Sequence, residues 1–457
     1  MSVHLAGGRV STFRAGAVAL GVALALPGAA MAAPPAAPTF TKDIAPIFQE
    51  KCEACHRPDS IAPMSLQTYE ESRPWARSVK ARVADRQMPP WHIDKTVGIQ
   101  KFKNDRSLSD DQIATIVKWI DQGAPKGDPK DMPPPKTWPD DQGWNFAKLF
   151  GQTEPDLIVR STPWTQKAGA NDTWWKPIVE TGLTEPRWVR AIEIRPATVK
   201  GRKITHHAVE RLIQEETDPL AINPLDNGTN IGGTFMEWAV GKQGELMRPN
   251  SGKLMLPGAK IGFDVHYSGT GEDVTDYVEL GIYFYPKGQE PKFRQVLHLM
   301  GATNSSGVDI PPNTVKATQG FFVMKENGRV ESYQPHMHLR GKAMSMEAIL
   351  PTGQVTMLSY VDHFNFNWHN SYVYADDAAP LLPKGTILKV TAWHDNTTAN
   401  KQNPDPNVWV GYGDRTVDEM AHAWVNVTYM GDADYKAELE ARKAKLAQKD
   451  TQQQQQQ

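Results

Sequence analysis

The sequence predicts a multidomain chain: a small all-α unit followed by two all-β sandwiches. Three observations carry this expectation. Apolar residues between positions 40 and 125 recur at helical spacing. Runs between 144 and 430 alternate with a period of two. A proline-rich stretch separates the two textures. The 457 residues suffice for about three domains at roughly 150 residues each. Fifty Lys and Arg face 52 Asp and Glu, for a formal net charge of −2. There is no basic excess to neutralise phosphates, so a nucleic-acid partner is not expected.

The elements follow in chain order. Residues 1–32 read as a cleaved export signal. Arg9 and Arg14 precede an apolar run over 15–25, Pro27-Gly28 breaks it, and Ala30-Met31-Ala32 forms an A-x-A cleavage site. The run is short of the ~20 residues that a spanning helix needs. No later stretch is apolar enough to span, so the expectation is a periplasmic or otherwise exported protein that is not membrane-spanning.

The all-α unit covers residues 40–125. Helices are expected over 41–49 and 69–84. A third is capped by Ser109-Asp110-Asp111, carries Ile113, Ile116, Val117 and Ile120 on one face, and stops at Gly123 and Pro125. Residues 126–143 form a semi-rigid linker that includes Pro133-Pro134-Pro135. The β region divides into 144–295 and 296–431, with a boundary placed over 291–303. Residues 188–194 and 278–284 are its clearest strands. Residues 432–457 read as a charged helix and a Gln-rich tail.

Both cysteines of the chain lie in Cys52-Glu53-Ala54-Cys55-His56. C-x-x-C-H is the attachment pattern of c-type haem: two thiols one turn apart add to the vinyl groups, and the adjacent His reaches the iron. Residues 40–125 resemble a class I c-type cytochrome domain. Gln87-Met88-Pro89-Pro90-Trp91 is similar to the segment that supplies the distal ligand in that family. The resemblance implies one covalent haem c held by Cys52, Cys55, His56 and Met88. Met64 and then His92 stand behind Met88 as sixth ligand. His/Met ligation suits electron transfer.

Histidines mark the β region. They fall in Thr205-His206-His207-Ala208, in Val265-His266-Tyr267, and in Pro335-His336-Met337-His338-Leu339-Arg340-Gly341-Lys342. His-x-His on a strand points both rings to one face. His206 and His207 would face opposite ways unless the backbone bends or the rings use different nitrogens. These segments, followed by Asp418-Glu419-Met420, resemble in order and spacing the copper type II, ascorbate-dependent monooxygenases, the family of peptidylglycine α-hydroxylating and dopamine β-monooxygenases, over residues 150–430.

The resemblance implies two jelly-roll-like sandwiches with two copper ions facing each other across an open, hydrated cleft. His206, His207 and His266 would hold the electron-transfer copper, and His336, His338 and Met420 the catalytic, oxygen-binding copper. The implied reaction is hydroxylation of an activated C–H of a small organic substrate by O2, with two electrons per turnover. An external donor, ascorbate-like or a periplasmic redox protein, would supply them, and the fused haem suggests a relay.

Departures narrow the substrate. Gln334, His422 and Trp424 stand where the amidating enzymes carry Arg, Asn and Tyr, so no charged clamp for a peptide carboxylate is expected. A non-catalytic redox or copper-binding protein is the alternative reading. His298, His363, His369, His394 and His422 are expected to be structural or supporting, with His422 the best placed to support Met420.

Overall fold

A computed structural model describes residues 37–454, apart from 59, 139–142, 171, 223–232, 240, 241, 243 and 303–306. The expected export signal, residues 1–32, lies outside the described residues. The fold is mostly β, organised in several sheets, with few helices.

The helices of the first unit are Ala45–Lys51, Tyr69–Ser72, Ala76–Ala84 and Asp110–Asp121, with a π-helical turn Phe40–Ile44 leading in. Two starts are fixed by reciprocal caps, Thr68 with Glu71 and Ser109 with Gln112, each satisfying two otherwise orphaned N–H groups. Phe40, Phe48, Ile116 and Trp119 form the core of this unit. Trp119 meets Phe48 edge to face at 6.4 Å. The last helix stops at Gly123, whose φ of +88° needs no Cβ.

Two features differ from the expected division. Residues 91–104 leave the helical core and join the second β half. Trp91 and Ile93 are buried in its core, and Ile93 and Phe102 bridge to Val361 and Tyr374. The linker does not hold the units apart but packs against the first helices. Lys136 Nζ donates to Gln49 O at 3.1 Å, and Trp138 Nε1 donates to Glu53 Oε2 at 3.3 Å.

In the β region, Arg187–Pro196 and Val278–Phe284 are strands, as their alternation predicts. They belong to a ten-stranded sheet whose main path runs Leu157–Arg160, Val278–Phe284, Arg187–Pro196, Ser251–Met255, Phe293–Ala302, Ala421–Met430, Asn327–His336, Tyr372–Val373, with Gly244–Leu246 pairing off it to Arg187–Pro196 and Leu381–Leu382 to Asn327–His336. Phe293–Ala302 crosses the boundary expected over 291–303. It pairs in parallel with Ser251–Met255 on one side and antiparallel with Ala421–Met430 on the other. The two halves therefore share one sheet.

Each half is sandwich-like. A five-stranded sheet containing Thr205–Ile213 and Lys260–Tyr267 packs on the first half through Phe235, Ile261, Phe263 and Val265. A four-stranded sheet containing Gly341–Ile349 and Ile387–Asp395 packs on the second through Met344, Met346, Leu388 and Val390. No cysteine is available to the β region, so burial holds it, at about 1.5–3 kcal/mol per large apolar side chain. The chain closes with the helix Asp432–Gln454, tied back by an ion pair of Glu438 with Arg329 at 2.7 Å. Among the described residues no helix is long and apolar enough to cross a membrane.

Candidate metal centre

The strand Thr205–Ile213 begins directly after the helix Val199–Ile204 and carries a bulge at its start. His207 lies opposite His266, but the next pair is Thr205 with Tyr267, which leaves His206 without an opposite residue. The extra residue breaks the alternation, so two adjacent rings reach one side. The bent backbone is the answer to the question raised by the His206-His207 pair, and both rings present the same nitrogen. Nδ1 of His206 lies 3.0 Å from Nδ1 of His207, and Nδ1 of His266 lies 3.4 Å from Nδ1 of His207. Together the three could hold one metal ion.

His266 is fixed from behind. Trp174 stacks on its ring at 4.2 Å with 10° between planes, and Asp172 Oδ1 lies 3.4 Å from its Nε2. A carboxylate on the far nitrogen leaves Nδ1 for a metal. The His266 contact, against some opposing burial, holds the Asp172 carboxyl well below the usual range.

His336 ends the strand Asn327–His336, and Met337 turns into the core, so His336 and His338 keep to one side. Their rings sit 5.3 Å apart. His338 Nδ1–H donates to Asp418 O at 3.0 Å, which frees Nε2. Buried Glu419 ties the two segments together, accepting from His338 N at 2.9 Å and from Arg340 N at 2.6 Å. Met420 follows in sequence, and its carbonyl accepts from His394 Nε2 at 3.0 Å. His422 lies opposite His336 in the sheet and stacks on it at 4.9 Å.

His207, His266, His336, His338, Met420 and His422 all line one cavity of about 90 Å³. An open cleft between the two groups is absent among the described residues: the rings of His207 and His336 are 5.8 Å apart. The shared sheet and a polar seam account for this closeness. Gln334 Nε2 donates to Glu237 across the seam, Asn426 Nδ2 to Glu245 Oε1 at 3.2 Å, and Arg248 pairs with Glu331 at 2.7 Å.

Burial favours the neutral, metal-binding form at two of these rings. It holds His207 and His336 well below the ordinary imidazole range, with neighbouring histidines adding to the effect. Burial, then His266, lowers His206 to about 4. Of the remaining histidines, His298 is buried against the Tyr429 hydroxyl at 2.8 Å and His363 pairs at the surface with Asp362 at 2.7 Å. His369 is different: it lies inside the cluster, 3.0 Å from His336 between their Nδ1 atoms. Sequence reasoning missed this, as it missed Asp172, Trp174 and the anchoring role of Glu419. His369 and Asp172 sit in loops, where no periodicity betrays direction.

Cys52, Cys55, His56, Met64 and Met88 line a second, larger cavity of about 1060 Å³. Its volume is at the upper end for cofactor sites. His56 Nδ1–H donates to Met64 O at 3.2 Å, which frees Nε2 and puts the Met64 backbone on the His56 side. Burial, helped by Glu53, pushes the Cys52 thiol up to about 12. His92 is not among the lining residues, whereas Trp368, His369 and Asn370 are.

No family description and no curated protein matches the chain. Among solved structures, a putative α-L-fucosidase from Bacteroides ovatus aligns at 7% identity over 65% of this chain and 41% of its own, with a TM-score of 0.18. The infectious bursal disease virus VP2 subviral particle aligns at 10% identity over 63% and 77%, also at 0.18. A Paenibacillus xanthan lyase aligns at 10% over 60% and 26%, again at 0.18. The chain thus spans about two-fifths of the fucosidase, and likenesses this slight carry no argument about function.

Proposed function

We propose that the protein is an exported, copper-dependent monooxygenase that hydroxylates an activated C–H of a small organic substrate with O2. Its two sandwich-like halves are read as jelly-roll-like domains, its helical unit as a c-type cytochrome. The observation that carries the reading is that His207 and His266, which group with His206 as a possible metal site, line one cavity together with His336, His338 and Met420.

The donor set fits copper. Neutral imidazole suits both oxidation states and a thioether favours the reduced one. Bound there, copper supplies one-electron chemistry and reactivity toward O2. The protein's own groups hold and aim the ligands. His206, His207 and His266 offer Nδ1, with Asp172 and Trp174 fixing the third ring. His338 offers Nε2 because its Nδ1–H donates to Asp418 O, and Glu419 locks the backbone between the His-x-His turn and Met420. Gln334 is engaged by Glu237 and offers no charged clamp, consistent with a substrate other than a peptide C-terminus.

The residues around the larger cavity fit a haem. Cys52 and Cys55 would carry the thioether links, and His56 would approach through Nε2. Met88 is preferred over Met64 as the opposite ligand because the Met64 backbone serves the His56 side. Such a haem would pass single electrons from an external donor, ascorbate-like or a periplasmic redox protein, to the centre.

The 90 Å³ of the histidine-lined cavity leaves little room for an organic substrate, and this favours a second reading, a non-catalytic copper and electron-transfer protein. Oxygen consumption by the copper-loaded, reduced protein, screened over compounds with activated C–H bonds, separates the two. Substrate-dependent uptake that is lost in Met420→Ala supports the monooxygenase. Uptake unaffected by that substitution removes Met420 from the role.

A further inference from the structure

We infer that His369 is a further ligand of the metal centre, binding through Nδ1 the metal held by His336. The inference rests on the copper reading above and adds a residue that the family resemblance does not supply. His369 lies in the connection between the strands Val355–Val361 and Tyr372–Val373, and its side chain is 4% exposed. Its Nδ1 is 3.0 Å from His336 Nδ1. The same nitrogens of His206 and His207 stand at the same 3.0 Å within the group able to share an ion.

The position of the ring is central. It is 4.7 Å from the His336 ring, 5.5 Å from His207 and 5.6 Å from His206, so it touches both ligand groups. A buried imidazole is ordinarily answered by a carboxylate or carbonyl. Here Nε2 of His369 and both ring nitrogens of His422, which stacks on His336, have no hydrogen-bond partner among the described residues. Histidines that face one another, with so few acceptors between them, suit a cation that takes up their lone pairs.

The loop is built to hold this ring still. Asn370 Nδ2 donates to Pro90 O at 2.9 Å, Asn104 Nδ2 donates to Ser371 O at 2.7 Å, and Tyr372 packs on Trp91 at 4.7 Å. The ligand is thus fixed by Pro90 and by the excursion 91–104 that joins the second β half. Trp368, His369 and Asn370 also wall the cavity that contains Cys52, His56 and Met88. One short segment therefore faces both cofactor positions.

The test is ring-¹⁵N histidine NMR of the full-length, reduced protein before and after loading with Cu(I), with copper per protein measured on the same sample. His369→Gln, which keeps volume and polarity, assigns the His369 signals, and His369→Ala serves if that variant does not fold. The expected result is a coordination shift of His369 Nδ1 on loading, parallel to the shift of His206 Nδ1. A His369 Nδ1 signal unmoved by bound Cu(I) overturns the inference and leaves the copper reading standing. Failure of the wild-type protein to bind any Cu(I) overturns both.

Discussion

Glu419 offers the sharpest test of how the metal site is held. Its carboxylate is fully buried and accepts two backbone protons, from His338 N at 2.9 Å and Arg340 N at 2.6 Å. A buried donor left without an acceptor costs about 1–3 kcal/mol. Glu419→Ala strands both donors and is expected to cost about 2–6 kcal/mol. Glu419→Gln keeps one acceptor oxygen and turns an NH2 toward the other donor, for about 1–3 kcal/mol. Because the same carboxylate sets the His338 backbone, copper affinity should also fall about 10–100-fold, as for other groups behind metal ligands. Urea denaturation and copper titration of the three proteins measure both effects. If Glu419→Ala lies within about 0.5 kcal/mol of wild type, the level of an ordinary surface change, the anchoring role is refuted.

Three further outcomes are expected. Cys52→Ser should leave haem extractable by acidified solvent where the wild type retains it; haem still fully retained would contradict the thioether assignment. Trp174→Ala removes the ring stacked on His266 at 4.2 Å and should weaken copper binding at the three-Nδ1 site by up to about tenfold, from a stacking contribution of about 0.5–1.5 kcal/mol, while the haem spectrum is unchanged. Burial, helped by Lys325, lowers His298 from 6.5 to about 3. The unfolded chain therefore binds the extra proton between those values, and the contribution of His298 to stability falls as pH drops below 6.5, by about 1.4 kcal/mol per pH unit at most for this one group. In His298→Gln the urea midpoint should depend less on pH over that range; an unchanged slope would refute this assignment.

Much of the local structure was legible because it is written in short-range pattern. Ser109-Asp110-Asp111 at the start and Gly123 then Pro125 after the end mark the helix Asp110–Asp121, and the spacing of Ile113, Ile116 and Ile120 marks its buried side. The alternation in Arg187–Pro196 and Val278–Phe284 marks strands. The site was legible as motifs but not as a shape. Nothing near His206 signals the bulge, because a bulge is defined by what lies opposite, here Tyr267 pairing with Thr205. The shared sheet was hidden for the same reason. Residues 291–303 read as a boundary, yet Phe293–Ala302 pairs with Ala421–Met430, far along the chain. The closeness of His207 and His336 follows from that pairing, so spacing alone could not show it. His369 sits in a loop, where only the fold reveals its neighbours.

A pyridine haemochrome spectrum and copper analysis on one sample of the full-length protein test most directly whether a haem and a copper centre share one chain. One covalently bound haem c and two coppers per chain are expected. Haem without copper, or copper without haem, would contradict this expectation.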